Sequence, residues 1–226
     1  RRQRQMCIRD RGMADIYDSK TRGYKGVADR LNRFHILRPG TFAIHGVHLQ
    51  EEELEIIKNN QVYLIHNPES NMSNAVGMAP VKSAFDKGIL VGLGTDGYTA
   101  DMFESIKVAN LLQKHELQHP QAGWEEVFQI AFENNRKIAA KYFNQSLGIL
   151  RAEAPADLLV VNYYPPTPIT SNNAYFHVLF GMSGELVDTT IVEGKILMED
   201  RNIYGLDYER IAIRAKEQAQ DFWKRF

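Results

Sequence analysis

Three polar segments of this chain each close a short apolar run: AIHG (residues 43–46), HNPESNM (66–72) and GTDGYTADMFES (94–105). They present His45, then His66 with Asn71, then Asp96. Imidazole and carboxylate are the donors a divalent metal takes when it keeps an open position where water becomes hydroxide near neutral pH. An Asp can bind such a metal and accept the proton of that water, and a nearby His can stabilise charge developing on a substrate. The plainer reading of ILVGLGTDG (89–97) is a solvated Asp-Gly turn. A buried, unpaired carboxylate is costly, so Asp96 belongs in a loop with a hydrogen bond or a cation to meet it. One polar residue at one strand end can be a cap. Three in succession point instead to the active-site face, which parallel β/α folds build at the C-terminal ends of their strands.

The elements that would position these groups follow a repeating order. Ala14–Phe34 predicts a helix interrupted by Gly23 and Gly26, and TFAIHG a short strand after Pro39-Gly40. A helix over Gln50–Lys58 carries Glu51–Glu53 in its first turn, where the helix dipole favours acid. QVYLIHN predicts a second strand, Pro80–Lys87 a helix, ILVGLGTDG a third strand, and Met102–His115 a helix capped by Asp101. Apolar strands alternating with helices imply parallel strands buried on both faces. Trp124–Phe143 predicts one longer helix, with Trp124 and Phe143 in the core. Beyond residue 150 the pattern changes to antiparallel β: ADLLVVNYY, the Pro-rich PPTPIT, and a hairpin in VDTTIVEGKILMED turning at Glu193-Gly194. A charged helix, Tyr208–Arg225, follows.

With a net charge of −1, neither nucleic acid nor an anionic membrane is expected as the main partner. The single cysteine, Cys7, permits no intrachain disulfide and suggests a reducing, cytoplasmic setting. No apolar run approaches the roughly 18–20 residues of a membrane span. Residues 1–11, RRQRQMCIRDR, are Arg-rich, lack the apolar stretch of a secretory signal, and read as a disordered or foreign tail.

With AIHG, HNPESNM and GTDGYTADMFES in that order, followed by ADLLVV and VEGK, the chain resembles the amidohydrolase superfamily. Within it, the likeness is to the branch of guanine deaminase, chlorohydrolases and SsnA-type aminohydrolases, from Gly12 to Phe226. The resemblance implies an α/β fold: part of a (β/α)8 barrel, strands 6–8 with their helices, over residues 12–150. It also implies part of a small β-sandwich over 151–206 and a C-terminal helix over 207–226. By position, His45 matches the catalytic histidine after strand 6. His66 and Asn71 match the H-x-P-x-S-N turn after strand 7, with substrate-binding roles. Asp96 matches the metal-binding, proton-accepting aspartate after strand 8. His177, in AYFHVLFG, matches a similar segment and is a further substrate-contact candidate.

The departures are specific. The family's H-x-H after strand 1 is absent, since no two histidines here lie two apart. Where H-x-x-E should follow strand 5, this chain has Ile8 and Arg11. Of the implied ligands only Asp96 is present, so one divalent metal, zinc before iron, is expected to be held weakly or not at all. An incomplete barrel would also leave a strand edge open to partner chains. The implied reaction is hydrolysis of C–N bonds other than peptide bonds by metal-bound hydroxide, on a small purine-like or other amine-bearing heterocycle, in an enzyme that is a homodimer in full-length form and whose truncated chain here is expected to be inactive alone. Two other readings are an inert fragment or interaction module keeping the fold without metal, and a phosphate-binding barrel enzyme. The second is weakened by the lack of a Gly-rich phosphate loop before a helix.

Overall fold

A computed structural model describes residues 7–9 and 12–226 of the chain. They divide into two compact units: residues up to Ala154 with Tyr163–Leu186, and Pro155–Asn162 with Val187–Phe226.

The first unit is built on four parallel strands in spatial order β1 (Cys7–Arg9), β2 (Phe42–Ile44), β3 (Tyr63–His66) and β4 (Val91–Leu93). Ala43, Leu64 and Val91, register partners on one face of the sheet, are buried, while Phe42, Ile44, Tyr63 and Ile65 on the other face are only half-buried. Between β1 and β2 lie α1 (Met13–Thr21) and α2 (Val27–Arg33). The single helix expected over 14–34 is thus two, parted where Gly23 takes a positive φ of 81°. Then come α3 (Glu51–Asn59) after β2, and α4 (Pro68–Ser73) and α5 (Val81–Asp86) between β3 and β4. In α3, Leu54 and Ile57 enter the core, while Gln50 and Glu53 close a capping box. After β4 run α6 (Met102–Leu117), capped by Asp101, then α7 (Trp124–Phe128) and α8 (Asn135–Phe143).

The expected tail needs correction at Cys7–Arg9, which pairs with β2 in parallel, Cys7 opposite Phe42 and Arg9 opposite Ile44. The remaining tail positions, Arg11 among them, lie outside the described residues. Arg-rich composition hid a three-residue strand whose pairing is decided by its neighbour.

The helix expected over 124–143 is also divided. Residues Gln129–Asn134 form a π-helical segment between α7 and α8. This places two successive side chains on the outer edge of β4: Asn134 Nδ2 donates to the Val91 carbonyl at 2.9 Å, and Asn135 Nδ2 to the Leu93 carbonyl at 2.9 Å. Asn135 Oδ1 accepts from the Leu93 amide at 2.9 Å. The edge expected to be open therefore has side-chain partners at these groups. Gly92 belongs to the same arrangement, because a Cβ there would lie 2.8 Å from Asn135 Oδ1. Asn135→Ala removes both contacts to Leu93 and is expected to cost about 1–3 kcal/mol, read as a lowered urea midpoint at unchanged m-value. An unchanged midpoint would show that water serves this edge as well as the side chain does.

Residues 163–186 complete the first unit. Residues 165–170 form no strand, contrary to the β reading of PPTPIT, and α9 (Ala174–Gly181) follows. Proline cannot donate to a strand ladder, which disfavours the expected pairing. Phe143 is exposed rather than in the core.

The second unit is an antiparallel sheet in the order β5 (Leu158–Val161), β6 (Val187–Val192), β7 (Lys195–Glu199) and β8 (Asn202–Ile203), with α10 (Tyr208–Trp223). Glu193 and Gly194 have φ of 49° and 77°, the paired positive values of a two-residue hairpin turn, and set Val192 opposite Lys195. Asp207 caps α10, accepting from the Arg210 amide at 3.0 Å. Leu159, Val160, Ile213 and Trp223 are exposed.

Candidate active site

His45, Asn71 and Asp96 converge at the C-terminal ends of β2, β3 and β4. His45 directly follows β2 with φ 78°, and Asp96 follows β4 with φ 55°. Left-handed backbone at a non-glycine residue is uncommon and concentrates at functional sites. Gly46, next to His45, also has a positive φ of 59°. Two strand ends are thus bent into a conformation with an energetic cost, and both present the chemically capable side chain.

The third strand end supplies the clamp. HNPES forms the start of a helix, with Pro68 at its first turn, where the missing N–H costs nothing. Consecutive residues of α4 then face different targets. Ser70 Oγ donates to Asp96 Oδ2 at 2.7 Å, and Asn71 Oδ1 accepts from His45 Nδ1 at 2.8 Å. His45 Nε2 lies 3.5 Å from the same Asp96 Oδ2. Asp96 Oδ1 accepts from the Gly97 amide at 2.8 Å. His45 and Asn71 are fully buried. The Asp96 side chain is only 17% exposed, although its backbone lies on an open turn.

This arrangement fixes where protons can sit. An amide oxygen only accepts, so His45 carries its proton on Nδ1. A neutral ring would then turn the Nε2 lone pair toward a carboxylate oxygen. One more proton, on Nε2 or on Asp96, converts that opposition into attraction. His45 and Asp96 are therefore built to share a proton, which is the capacity needed for acid–base chemistry.

His66 is buried beside them, and neither of its ring nitrogens has a hydrogen-bond partner among the described residues. Burial, and secondarily the charge of His45, pull its pKa down to about 4. Asn71 Nδ2 is likewise buried with no partner among the described residues. Two polar groups thus remain available to a ligand or to water. His177 is different: Tyr163 Oη meets its Nδ1 at 2.9 Å and Thr167 Oγ1 its Nε2 at 3.3 Å. Both ring nitrogens are occupied within residues 163–177. Glu104 faces solvent.

Ser70 was not singled out by sequence reasoning. The only available signal was its place in the segment that also carries His66 and Asn71.

Imidazole and carboxylate suit zinc, but a catalytic zinc takes three protein ligands. Among the described residues, no group of three or more His, Cys, Asp and Glu side chains is placed to hold a metal. His45 and Asp96 fit such an ion only as part of a larger set and do not make a metal site by themselves.

Known proteins bear on this geometry. A family model described as "Amidohydrolase family" matches residues 15–197. A 5'-deoxyadenosine deaminase of Methanobrevibacter smithii is 35% identical over 200 residues, covering 84% of this chain and 45% of that protein. A 5-methylthioadenosine/S-adenosylhomocysteine deaminase of Carboxydothermus hydrogenoformans is 36% identical over 182 residues, 79% of this chain and 42% of that protein. The chain thus spans a little under half the length of these curated relatives. Among solved structures, an adenosine deaminase from Xanthomonas campestris with bound zinc superimposes with a TM-score of 0.85 at 19% identity, covering 97% of this chain and 51% of that one.

Proposed function

Because the chain belongs to the amidohydrolase family, as the match over residues 15–197 shows, we propose that it forms one side of the active site of a deaminase-like hydrolase of C–N bonds other than peptide bonds. The observation that carries this reading is the convergence of Ser70 and His45 on one oxygen of Asp96, with Asn71 setting the ring of His45. Asp96 accepts the proton of the attacking water and delivers it to the leaving nitrogen. His45, polarised through the proton it shares with Asp96, stabilises the negative charge that develops on the substrate. His66 and Asn71 line the pocket, with the unpartnered Asn71 Nδ2 and the neutral His66 ring as contacts for a heterocycle.

Asp96 would be one ligand of a divalent metal, zinc before iron, whose other ligands lie outside the described residues. Bound there, the ion supplies a Lewis acid. In this reading β2, β3 and β4 are strands 6–8 of a (β/α)8 barrel within residues 12–150. Residues 155–162 and 187–206 are part of a β-sandwich and 207–226 its trailing helix. The enzyme works in the cytoplasm as a homodimer on a small molecule. The names of the relatives favour a purine nucleoside such as 5'-deoxyadenosine.

A second reading, an inert module that keeps the fold, is favoured by the short ligand set among the described residues. Ammonia release separates the two. Protein that includes the remaining ligands, supplied with zinc or iron, is expected to release ammonia from 5'-deoxyadenosine or a related nucleoside and to stop on chelation, whereas this chain by itself is expected to release none. If that longer protein retains no metal by elemental analysis and forms no ammonia, the inert reading stands.

A further inference from the structure

Glu69 is buried, yet its carboxylate meets no cation among the described ion pairs. Two hydroxyls meet it instead: Thr99 Oγ1 donates to Oε2 at 2.8 Å and Ser105 Oγ to Oε1 at 2.7 Å. A buried carboxylate is expensive, and satisfying it with hydroxyls alone makes each of these contacts consequential. Both donors lie just downstream of Asp96, Thr99 in the loop that leaves it and Ser105 in the first turns of α6.

The placement closes a ring. From Asp96 the path runs through the Ser70 hydroxyl into α4, one residue back to Glu69, and out through Thr99 to a point three residues beyond Asp96. The loop bearing Asp96 is thus held at two points by neighbouring residues of one short helix. That loop needs holding, because Asp96 stands at φ 55°, where an L-residue is not at its minimum. Asn71, the next residue of α4, sets His45. Any shift of α4 relative to the 96–105 segment would therefore move the proton-sharing pair apart.

We propose that Glu69 is a positioning residue: through Thr99 and Ser105 it locks α4 to the loop of Asp96, and so fixes the left-handed turn and the distance between Asp96 and His45. Its catalytic consequence rests on the roles given above to Asp96 and His45; its geometric consequence does not. Glu69→Gln keeps an acceptor and adds a donor that either hydroxyl can accept, so it preserves the lock. Glu69→Ala abolishes it, and Thr99→Val cuts only the arm to the loop.

The Gly97 amide, which donates to Asp96 Oδ1, reports the turn by hydrogen exchange. In Glu69→Ala and Thr99→Val its exchange is expected to accelerate about tenfold, the consequence of losing one hydrogen bond to a charged group. Glu69→Gln should exchange as the parent does. In the active enzyme kcat should fall in the same order of variants with KM little changed, whereas Ser105→Ala, which spares the loop arm, should shift thermal stability more than kcat. If Gly97 exchange in Glu69→Ala and Thr99→Val equals that of the parent, the lock does not exist. If exchange accelerates and kcat does not respond, the positioning of Asp96 stands and its assigned catalytic role falls.

Discussion

Asp96→Asn is expected to lower turnover of the metal-supplied enzyme roughly 10²–10⁴-fold, the range for loss of one acid–base group, with the fold intact. The geometry explains why the substitution isolates the chemistry. Asn tolerates the left-handed conformation that residue 96 adopts better than most side chains do. Its oxygen can still accept from the Gly97 amide, and its NH₂, standing in the place of Oδ2, has a second hydrogen that Ser70 Oγ can accept. What changes is the contact with His45. The Nδ1 of His45 is committed to Asn71, so its Nε2 needs a shared proton to face a carboxylate 3.5 Å away. An amide NH₂ would donate to that nitrogen and leave the pair with no movable proton. Ammonia release measured beside thermal unfolding tests this: a variant with parental turnover would remove Asp96 from the reaction, and one that fails to fold would show that its charge is structural.

The residue types at this site are legible in the sequence because each ends an apolar run, and a His or Asp there has few structural uses. Their order also carries the parallel sheet, since strands buried on both faces read as apolar stretches between helices. What could not be read is how the groups are held. Ser70 and Glu69 are ordinary polar residues until α4 forms, and the Pro68 that opens this helix is equally a turn residue. The left-handed φ of His45 is hinted at only by Gly46, and that of Asp96 only by its flanking glycines. Asn134 and Asn135 sit inside a helical pattern, so their attachment to the edge of β4 appears only once that strand is in place. The return of residues 163–186 to the first unit is likewise a matter of long-range packing. The partners of His177, Tyr163 and Thr167, are near in sequence, but their hydrogen bonds are not encoded in its spacing.

His66 should make the first unit lose stability as pH falls through the range between its unfolded and folded pKa values. Its ordinary pKa of 6.5 is lowered to about 4, first by burial and then by the charge of His45. Above 6.5 both the folded and the unfolded ring are neutral, and the group does not bias folding. Between 6.5 and 4 the unfolded chain takes up a proton that the folded protein refuses, so unfolding is favoured as pH drops. At about 1.4 kcal/mol per unit, the full effect by pH 4 is on the order of 3 kcal/mol. Carboxylates titrate in the same window, so the comparison is with His66→Leu, which has similar bulk and no proton to gain. Urea unfolding of both proteins from pH 7.5 to pH 4 should give curves that diverge progressively below pH 6.5, the parent falling faster. Parallel curves would mean that His66 reaches water or a hydrogen-bond partner in solution, and the neutral ring assigned to the pocket would have to be given up.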